Sequence, residues 1–444
     1  MHPGAVSLAK MLLLIILVAA CATPLSTEQP STRHVILISI DGLRPEFYLD
    51  SEYPAPILRK LAASGARAQT VEPVFPSNTN PNHATILTGL RPNRHGILFN
   101  VHFEPDGTRG GWYEDASELR APSLWMWART AGLRTASLNW PTTHFAQIDL
   151  LVTGGDYPAN EAGLAKLAQT TTTGLFALAR VTPSVAALKD DVTWDALMAS
   201  TAAGLVRRAQ PHLLLLHFDQ ADHFQHQHGR DGDEVKRAVG RVDGHLASIL
   251  EAVSEAGLSS RTAVVVTGDH GFSNIRQEVF PNYLLARAGL RGCPKPGAAW
   301  RATAHVAGGS AAVFVNPRGD ARATQAAEAA LRAAGAGRYA IVPRAELDTL
   351  GAMEGAAFAL DAASGYAMGD ACNRGLSRPA SGGQHGYLPS RAEMATGFVA
   401  AGAGVRAGVT LSAMRLIDVA PTVARLLGLP SRPADGRILA EILQ

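Results

Sequence analysis

The sequence has little of several features that define whole classes of protein. Its 444 residues include three cysteines, too few for a disulfide-rich scaffold. Basic and acidic side chains number 40 and 38, and this near balance excludes the basic excess of proteins that coat nucleic acid. Charged residues make up 18% against 47% hydrophobic residues, which excludes an acidic disordered chain. We therefore expect a large buried core and no nucleic-acid-binding surface.

The longest purely apolar run stands near the N-terminus, MLLLIILVAA at residues 11–20. It is too short to cross a bilayer, which takes about 20 residues. A short apolar run between a positive charge and small residues is typical of a secretory signal, so we predict a signal peptide or lipoprotein signal at 1–22 and a linker at 23–33. VAAC, ending at Cys21, resembles a bacterial lipobox and would make Cys21 a lipid anchor, the one expected membrane contact. Ordinary cleavage after residue 22 is the alternative, and either route predicts an exported protein, periplasmic or in the cell envelope.

Export would place the other two cysteines in an oxidising compartment. Cys293 and Cys372 could then form a disulfide. Two unpaired buried thiols are the alternative, because separation along the chain does not set the distance between them in the fold.

Three short apolar runs predict buried strands, each followed by acidic residues. Residues 34–40 (HVILISI) stop at Asp41, 212–218 (HLLLLHF) lead into an Asp/His cluster, and 262–267 (TAVVVT) lead into Gly-Asp-His-Gly. Between the second and third runs, apolar residues at 235–253 step by 4, 3, 4, 3 and 4, which is one face of a helix. A strand, a helix and a strand in that order predict a parallel crossover.

The rest of the pattern completes an α/β fold. Weaker strands are predicted at 135–139, 310–315 and 396–400, and helices at 326–334 and 416–427. We therefore predict a doubly wound, mostly parallel sheet with helices on both faces, forming one catalytic domain over residues 34–444. Residues 141–210 and 351–384 lack regular patterning and are predicted to be inserted loops or a cap over the site. Ligands of such sheets bind beyond the carboxyl ends of the strands.

Four separated segments carry side chains that could bind metal at those strand ends. The candidate ligands are Asp41, Asp222, His226, Asp269, His270 and His385. Three carboxylates and three imidazoles suit two zinc ions, each of which takes about four N or O ligands. Asp219 with His223 has the same i, i+4 spacing as Asp222 with His226, and His228 is a further candidate. Spacing alone leaves the ligands of that segment open.

A hydroxyl-rich loop precedes a short helical pattern in residues 75–96 (FPSNTNPNHATILTGLRPNRHG). Thr79 would lie at the N-terminus of that helix, where a metal could activate its hydroxyl and a phosphate could bind. A plain helix cap is the alternative reading of Thr79. Ser77, Thr85 and Thr88 are rival hydroxyls.

Taken together, these segments resemble the nucleotide pyrophosphatase/phosphodiesterase family of the alkaline phosphatase superfamily. ISIDGLRPEF, TNPNHATILTGLRPNRHGI, DHFQHQHG, TGDHG and GGQHGY occur in the family's order, and the similarity runs from about residue 34 to 428. The resemblance implies an alkaline phosphatase-like fold and two zinc ions. For one zinc it implies the ligands Asp41, Thr79, Asp269 and His270, and for the other Asp222, His226 and His385.

The resemblance also implies a function. We expect an exported two-zinc phosphodiesterase of the nucleotide pyrophosphatase type, acting on a small-molecule phosphodiester through a phosphothreonine at Thr79, with Asn100 donating to a non-bridging phosphate oxygen. Nucleotide-cleaving members carry an aromatic residue after the nucleophile, where this sequence has Asn80, and the only aromatic residues near the second stacking position are Trp194 and Phe176. This departure puts nucleotide specificity in doubt. A phosphomonoesterase on the same scaffold and a catalytically silent, metal-stabilised surface binding protein are the alternatives.

Overall fold

The computed structural model describes residues 34–293 and 299–444. The predicted signal segment 1–22, its Cys21 and the linker 23–33 lie outside the described residues. Within the described ranges, no helix combines the length and the apolar character needed to cross a bilayer.

The described residues form twenty strands in five sheets. The strands are β1 (His34–Ile40), β2 (Ala66–Ala68), β3 (Val71–Glu72), β4 (Val101–Phe103), β5 (Arg109–Trp112), β6 (Thr135–Trp140), β7 (Leu150–Thr153), β8 (Leu213–Phe218), β9 (Thr262–Thr267), β10 (Ser273–Val279), β11 (Ala302–Ala307), β12 (Ser310–Val315), β13 (Tyr339–Pro343), β14 (Phe358–Ala362), β15 (Gly365–Met368), β16 (Ser377–Pro379), β17 (Gly383–Gln384), β18 (Phe398–Gly402), β19 (Val409–Leu411) and β20 (Met414–Arg415).

The same ranges contain fourteen α-helices. They are α1 (Glu46–Leu49), α2 (Pro56–Ser64), α3 (Thr79–Thr88), α4 (Pro92–His95), α5 (Leu124–Thr130), α6 (Glu161–Thr170), α7 (Leu175–Ala179), α8 (Asp191–Arg208), α9 (Gln220–His228), α10 (Asp233–Glu255), α11 (Pro281–Arg287), α12 (Ala321–Gly335), α13 (Arg344–Leu350) and α14 (Val419–Leu426).

The central sheet has eight strands in the order β19-β2-β18-β9-β1-β8-β6-β7. Five of its seven neighbouring pairs are parallel, and β18 runs antiparallel between β2 and β9. β1 lies between β8 and β9, and all three are buried along their whole length. Strands buried on both faces read as continuous apolar runs, which is why these three were recognisable in the sequence.

Helices cover both faces of this sheet. One apolar cluster packs α2, α8 and α10 against Ile36, Leu214 and Val264. The other packs α3, α5 and α14 against Leu37, Leu215 and Val265 on the opposite face. The prediction of a doubly wound, mostly parallel sheet is therefore confirmed.

Residues 141–210 and 351–384, predicted to be inserted loops or a cap over the site, contain regular secondary structure. The first segment adds the edge strand β7 and the helices α6, α7 and α8, and the second contains β14 to β17. α8 was missed because it is rich in Ala and buried on most sides, so its sequence shows little of the periodicity of a surface helix. The strands of the second segment are two to five residues long, too short for a clear alternation.

A second, antiparallel sheet has the order β11-β12-β14-β13 and its own apolar cluster with α11 and α12. The strand predicted at 310–315 belongs here as β12, outside the central sheet. Cys293 and Cys372 form a disulfide beside this sheet, with their Cα atoms 5.9 Å apart. Of the two alternatives for these cysteines, the structure therefore contains the disulfide.

Candidate metal centre and active site

Two candidate ligands lie side by side because the strands before them are paired. Ser39 of β1 pairs with Thr267 of β9, so Asp41 and Asp269, each two residues further on, leave the sheet at the same edge. The Asp269 carboxylate accepts a hydrogen bond from the Gly42 N–H at 3.0 Å. Gly42 has a φ of 66°, and an added Cβ would lie 2.7 Å from the Gln225 side chain, so a residue with a side chain would not fit this turn.

Asp41, Asp269 and His270 form a group that we call the strand trio. His270 Nε2 lies 3.3 Å from Asp41 Oδ1 and 3.2 Å from Asp269 Oδ2. All three residues are buried. Their ligand atoms lie within 4.8 Å of one another, close enough to share one ion.

Asp222, His226 and His385 form a second group, the helix trio. Asp222 and His226 stand one turn apart on α9, with Asp222 Oδ2 3.4 Å from His226 Nε2. His385 follows β17, and its Nε2 lies 3.8 Å from Asp222 Oδ1. The same Asp222 oxygen is 4.0 Å from His270 Nε2, so the two trios adjoin each other.

Backbone carbonyls orient the imidazoles of the helix trio. His226 Nδ1 bonds to the Gly383 carbonyl at 3.0 Å, and His385 Nδ1 bonds to the Ser77 carbonyl at 3.0 Å. A carbonyl can only accept, so each Nδ1 carries the proton and each Nε2 is left with a lone pair facing Asp222. The buried Asp195 of α8 holds the start of α9, because its carboxylate accepts from the Asp219 N–H at 3.0 Å and the Gln220 N–H at 3.2 Å.

The donor set fits divalent cations. Asp41 Oδ1, Asp222 Oδ1 and Asp269 Oδ2 are buried oxygens that accept no hydrogen bond. Burial raises the pKa of each of these carboxyl groups, and neighbouring carboxylates raise the pKa of Asp41 further. Such a group of carboxylates is costly to bury without positive charge nearby. Carboxylates together with neutral imidazoles, whose pKa burial lowers at His270 and His385, are the ligands that zinc takes.

The hydroxyl of Thr79 lies beside the strand trio. Thr79 is the first residue of α3, and its Oγ1 is 3.5 Å from His270 Nε2. The rival hydroxyls are occupied elsewhere, since Ser77, Thr85 and Thr88 each donate to a backbone carbonyl. Among these four hydroxyls, the geometry favours Thr79 as the reactive one.

The alternative ligands in the segment around α9 face other partners. Asp219 Oδ2 accepts from the Asn139 side chain at 2.7 Å. His223 pairs with Asp191 at 2.9 Å, and His228 stacks on Phe224 at the end of α9. Spacing left this choice open, and the structure groups Asp222 and His226 with His385 instead.

Asn100 and Asn80 are hydrogen-bonded to each other next to Thr79. The Asn80 N–H donates to Asn100 Oδ1 at 2.9 Å, which leaves the Asn100 amide nitrogen as a free donor group. The Asn80 side chain is buried and donates to the Tyr113 carbonyl at 2.8 Å. Position 80 therefore anchors the segment after β5 and offers no stacking surface.

A cavity of about 570 Å³ opens beside Thr79 and both trios. Outside the trios its lining includes one cationic side chain, Lys189, and a larger set of carboxylates. These acidic residues are Glu114, Asp156, Asp190, Asp191 and Asp219. Of the two aromatic residues noted in the sequence, Trp194 lines this cavity, whereas Phe176 packs against the core. A second cavity of about 410 Å³ adjoins Asn100, His226 and His385 from another side.

The sequence reasoning missed His217, which touches the strand trio. Its Nε2 lies 3.1 Å from Asp41 Oδ2. The signal was present, because His217, in the otherwise apolar strand LLLLHF, shares a face with two buried leucines and must bond within the protein.

A family model described as type I phosphodiesterase / nucleotide pyrophosphatase matches residues 35–349. The chain belongs to this family. Among curated relatives, human ectonucleotide pyrophosphatase/phosphodiesterase family member 1 is 25% identical over 256 residues, which cover 56% of this chain and 24% of that protein. Human family member 7 is 23% identical, over 58% of this chain and 53% of that protein. Venom phosphodiesterase 2 of Crotalus adamanteus is 26% identical, over 59% of this chain and 30% of that protein. The chain thus spans between about a quarter and about half of these relatives' lengths.

Solved structures share the fold. Human ectonucleotide pyrophosphatase/phosphodiesterase 5 superposes with a TM-score of 0.70 at 19% identity, covering 93% of this chain and 100% of that chain. The murine protein, as an inactive threonine-to-alanine variant in complex with AMP, gives a TM-score of 0.68 at 20% identity with the same coverage. These neighbours confirm the alkaline phosphatase-like fold.

Proposed function

We propose that this protein is an exported two-zinc phosphodiesterase of the nucleotide pyrophosphatase type, acting through a phosphothreonine at Thr79. One observation carries the proposal: two adjoining trios of metal-binding side chains lie beside the hydroxyl at the start of α3. Family membership supports the reaction class. Asp41, Asp269, His270 and Thr79 would hold one zinc, and the helix trio would hold the other.

Two bound zinc ions would supply the positive charge that offsets the anionic oxygens of a phosphodiester. The protein's own residues do the rest. Thr79 Oγ gives up its proton and attacks phosphorus, the P–O bond to the leaving group breaks, and that group takes up a proton and departs as an alcohol. The phosphoryl group, with its remaining ester arm, is left on Thr79. A water oxygen then replaces Thr79 on phosphorus, which restores the hydroxyl and releases a phosphomonoester. Asn100 donates to a non-bridging oxygen from a position preset by its bond to Asn80.

The negative charge of the large cavity affects which phosphodiesters can bind there. Its extra carboxylates outnumber its one cationic side chain, so a substrate arm that carries further phosphates would be repelled there. Asn80 offers no surface for a nucleobase. We therefore expect diesters with neutral or cationic arms to be better substrates than nucleoside polyphosphates, although AMP, found in the murine neighbour, is a useful competitor to test.

Export is supported by two features. Residues 1–22 have the composition of a secretory signal, and disulfides such as Cys293–Cys372 persist in oxidising compartments. Anchoring through Cys21 would be revealed by incorporation of labelled fatty acid that is lost in Cys21→Ser. Release of the unlabelled wild-type chain in soluble form would contradict it.

The central test assays the full chain with zinc and with chelator on a matched pair, bis(p-nitrophenyl) phosphate and p-nitrophenyl phosphate. A zinc-dependent preference for the diester is the expected result, and a preference for the monoester would favour the phosphomonoesterase alternative. Retention of zinc without turnover of either compound would favour the silent binding protein. Assays of a nucleotide, a dinucleotide, a glycerophosphodiester and a phospholipid-headgroup diester would then show which ester group of the substrate the protein prefers.

A further inference from the structure

We propose that His217 is a positioning residue that sets the orientation of Asp41 in the strand trio. The inference rests on the proposed function, because it assumes that this trio binds zinc. His217 is the next-to-last residue of β8 and is 3% exposed. It pairs in the sheet with Ser39, two residues before Asp41, so the paired backbones of β8 and β1 bring the imidazole to this carboxylate.

The hydrogen-bond partners of the His217 ring are all acceptors, and the His83 ring packs edge-on against it with centroids 4.4 Å apart. Nδ1 lies 3.1 Å from the Asn139 carbonyl and 3.1 Å from Asp219 Oδ1, and Nε2 lies 3.1 Å from Asp41 Oδ2. Carbonyl and carboxylate oxygens can only accept, so the Nδ1–H donates to the Asn139 carbonyl and the Nε2–H donates to Asp41 Oδ2. Nε2 is thereby held on Asp41 Oδ2.

This contact selects which oxygen of Asp41 faces the trio. Oδ2 is engaged by His217, whereas Oδ1 accepts no hydrogen bond and lies 3.3 Å from His270 Nε2. Without His217, the carboxylate could rotate about its Cβ–Cγ bond and lose this alignment. Hydrogen-bonded partners of metal ligands typically contribute 10-fold to 100-fold in metal affinity.

The position of His217 is itself enforced by an unusual backbone conformation. Asn139 has a φ of 59°, which aims its carbonyl at the His217 ring, and its amide nitrogen donates to Asp219 Oδ2 at 2.7 Å. A non-glycine residue persists in this region only where its surroundings hold it. Asp41, His217 and Asp219 are also close enough to group around a cation. Because both ring nitrogens already face protein acceptors, the geometry favours the hydrogen-bonded role.

The test measures zinc affinity by competition with a chromophoric chelator, using the full chain, together with kcat, KM and the melting temperature of the zinc-free protein. We expect His217→Leu to weaken one of the two zinc sites about 10-fold to 100-fold and to lower kcat with little change in KM. His217→Gln, which can still donate to Asp41, should recover part of both. His245→Gln, on the other face of the sheet against Phe218, is the matched control.

Each outcome bears on the proposal. Unchanged zinc affinity in His217→Leu would overturn it, as would weakening that only follows a lower melting temperature of the zinc-free protein. A third zinc equivalent that disappears in His217→Leu would show a ligand in place of a positioning residue. If the wild-type chain binds no zinc at all, the proposed function fails first, and the two failures are therefore distinguishable.

Discussion

The strand trio and the helix trio differ in how the chain holds them. Asp41 and Asp269 follow neighbouring paired strands, so backbone hydrogen bonds set their separation, and the Asp269 side chain is 0% exposed. Asp222 and His226 stand on a short helix with side chains 20% and 34% exposed. The first group is buried and held by strand pairing, whereas the second joins a helix to a distant loop and is partly exposed in the cavity.

The largest effect on turnover is expected when the Thr79 hydroxyl is removed and the residues of both trios are kept. Thr79→Ala should retain zinc but lower kcat by at least roughly 100-fold, by the usual scale for a nucleophile. Thr79→Ser, which restores a hydroxyl, is the matched control. Stopped reactions analysed by mass spectrometry should show Thr79 of the wild type carrying the phosphoryl group with the retained ester arm of the substrate, and unchanged turnover in the alanine variant would reject this residue as the nucleophile.

Neutralising the buried Asp269 carboxylate should weaken zinc binding and stabilise the zinc-free protein. Asp269→Asn keeps an oxygen for the Gly42 N–H but removes the charge, so we expect the strand trio to lose its zinc, measured by elemental analysis. Burial raises the pKa of Asp269, so its ionised form is costly in the zinc-free protein at neutral pH. The zinc-free variant should therefore gain on the order of 1 kcal/mol in unfolding free energy. A full zinc complement would count against Asp269 as a ligand.

The two trios should release zinc at different rates. Because Asp222 and His226 reach solvent and the strand trio is closed, one zinc equivalent should leave under chelator about 10-fold faster than the other. His226→Ala should abolish the fast phase and leave the slow one. A single phase for both equivalents in the wild type would contradict the difference between the trios.

The smallest effect should come from the charge of the cavity wall. Burial and the Asp219 charge raise the pKa of Asp191 to about 6, so its carboxylate is largely ionised at neutral pH. Asp191→Asn should raise KM for a diester with a cationic arm about twofold to threefold and lower it for a nucleotide, by the scale of a partly exposed charge. Glu251→Gln, on the exposed side of α10, is the control, and equal changes for both substrates would refute the charge effect.

How far the sequence could predict the fold depended on the kind of element. β1, β8, β9 and the long helix α10 were all recognisable, because a strand buried on both faces and a helix with one buried face carry local patterns. α8 and the short strands β14 to β17 were missed, since a helix buried on most sides and strands of a few residues carry no such pattern. The strand β12 was predicted at 310–315, but the separate antiparallel sheet that it forms with β11, β13 and β14 was not predicted.

The residues of the candidate site also fall into two groups, those that the sequence could identify and those that it could not. The sequence identified the residues of both trios and Thr79 by residue type and motif, and these side chains lie together in the structure. His217 and Asn139 carried no motif, because their contribution comes from hydrogen bonds to Asp41 and Asp219 across neighbouring strands.

The sequence by itself determined which side chains can carry the chemistry. It also predicted that Asp41 and Asp269 follow buried strands, because apolar runs and the polar residues after them are local properties. Only the tertiary structure decided the pairing of α9 with the loop at His385, the partner of each hydroxyl and the contact between His217 and Asp41. Those distances join residues up to several hundred positions apart. Packing and strand register set them, and neither can be calculated from spacing along the chain.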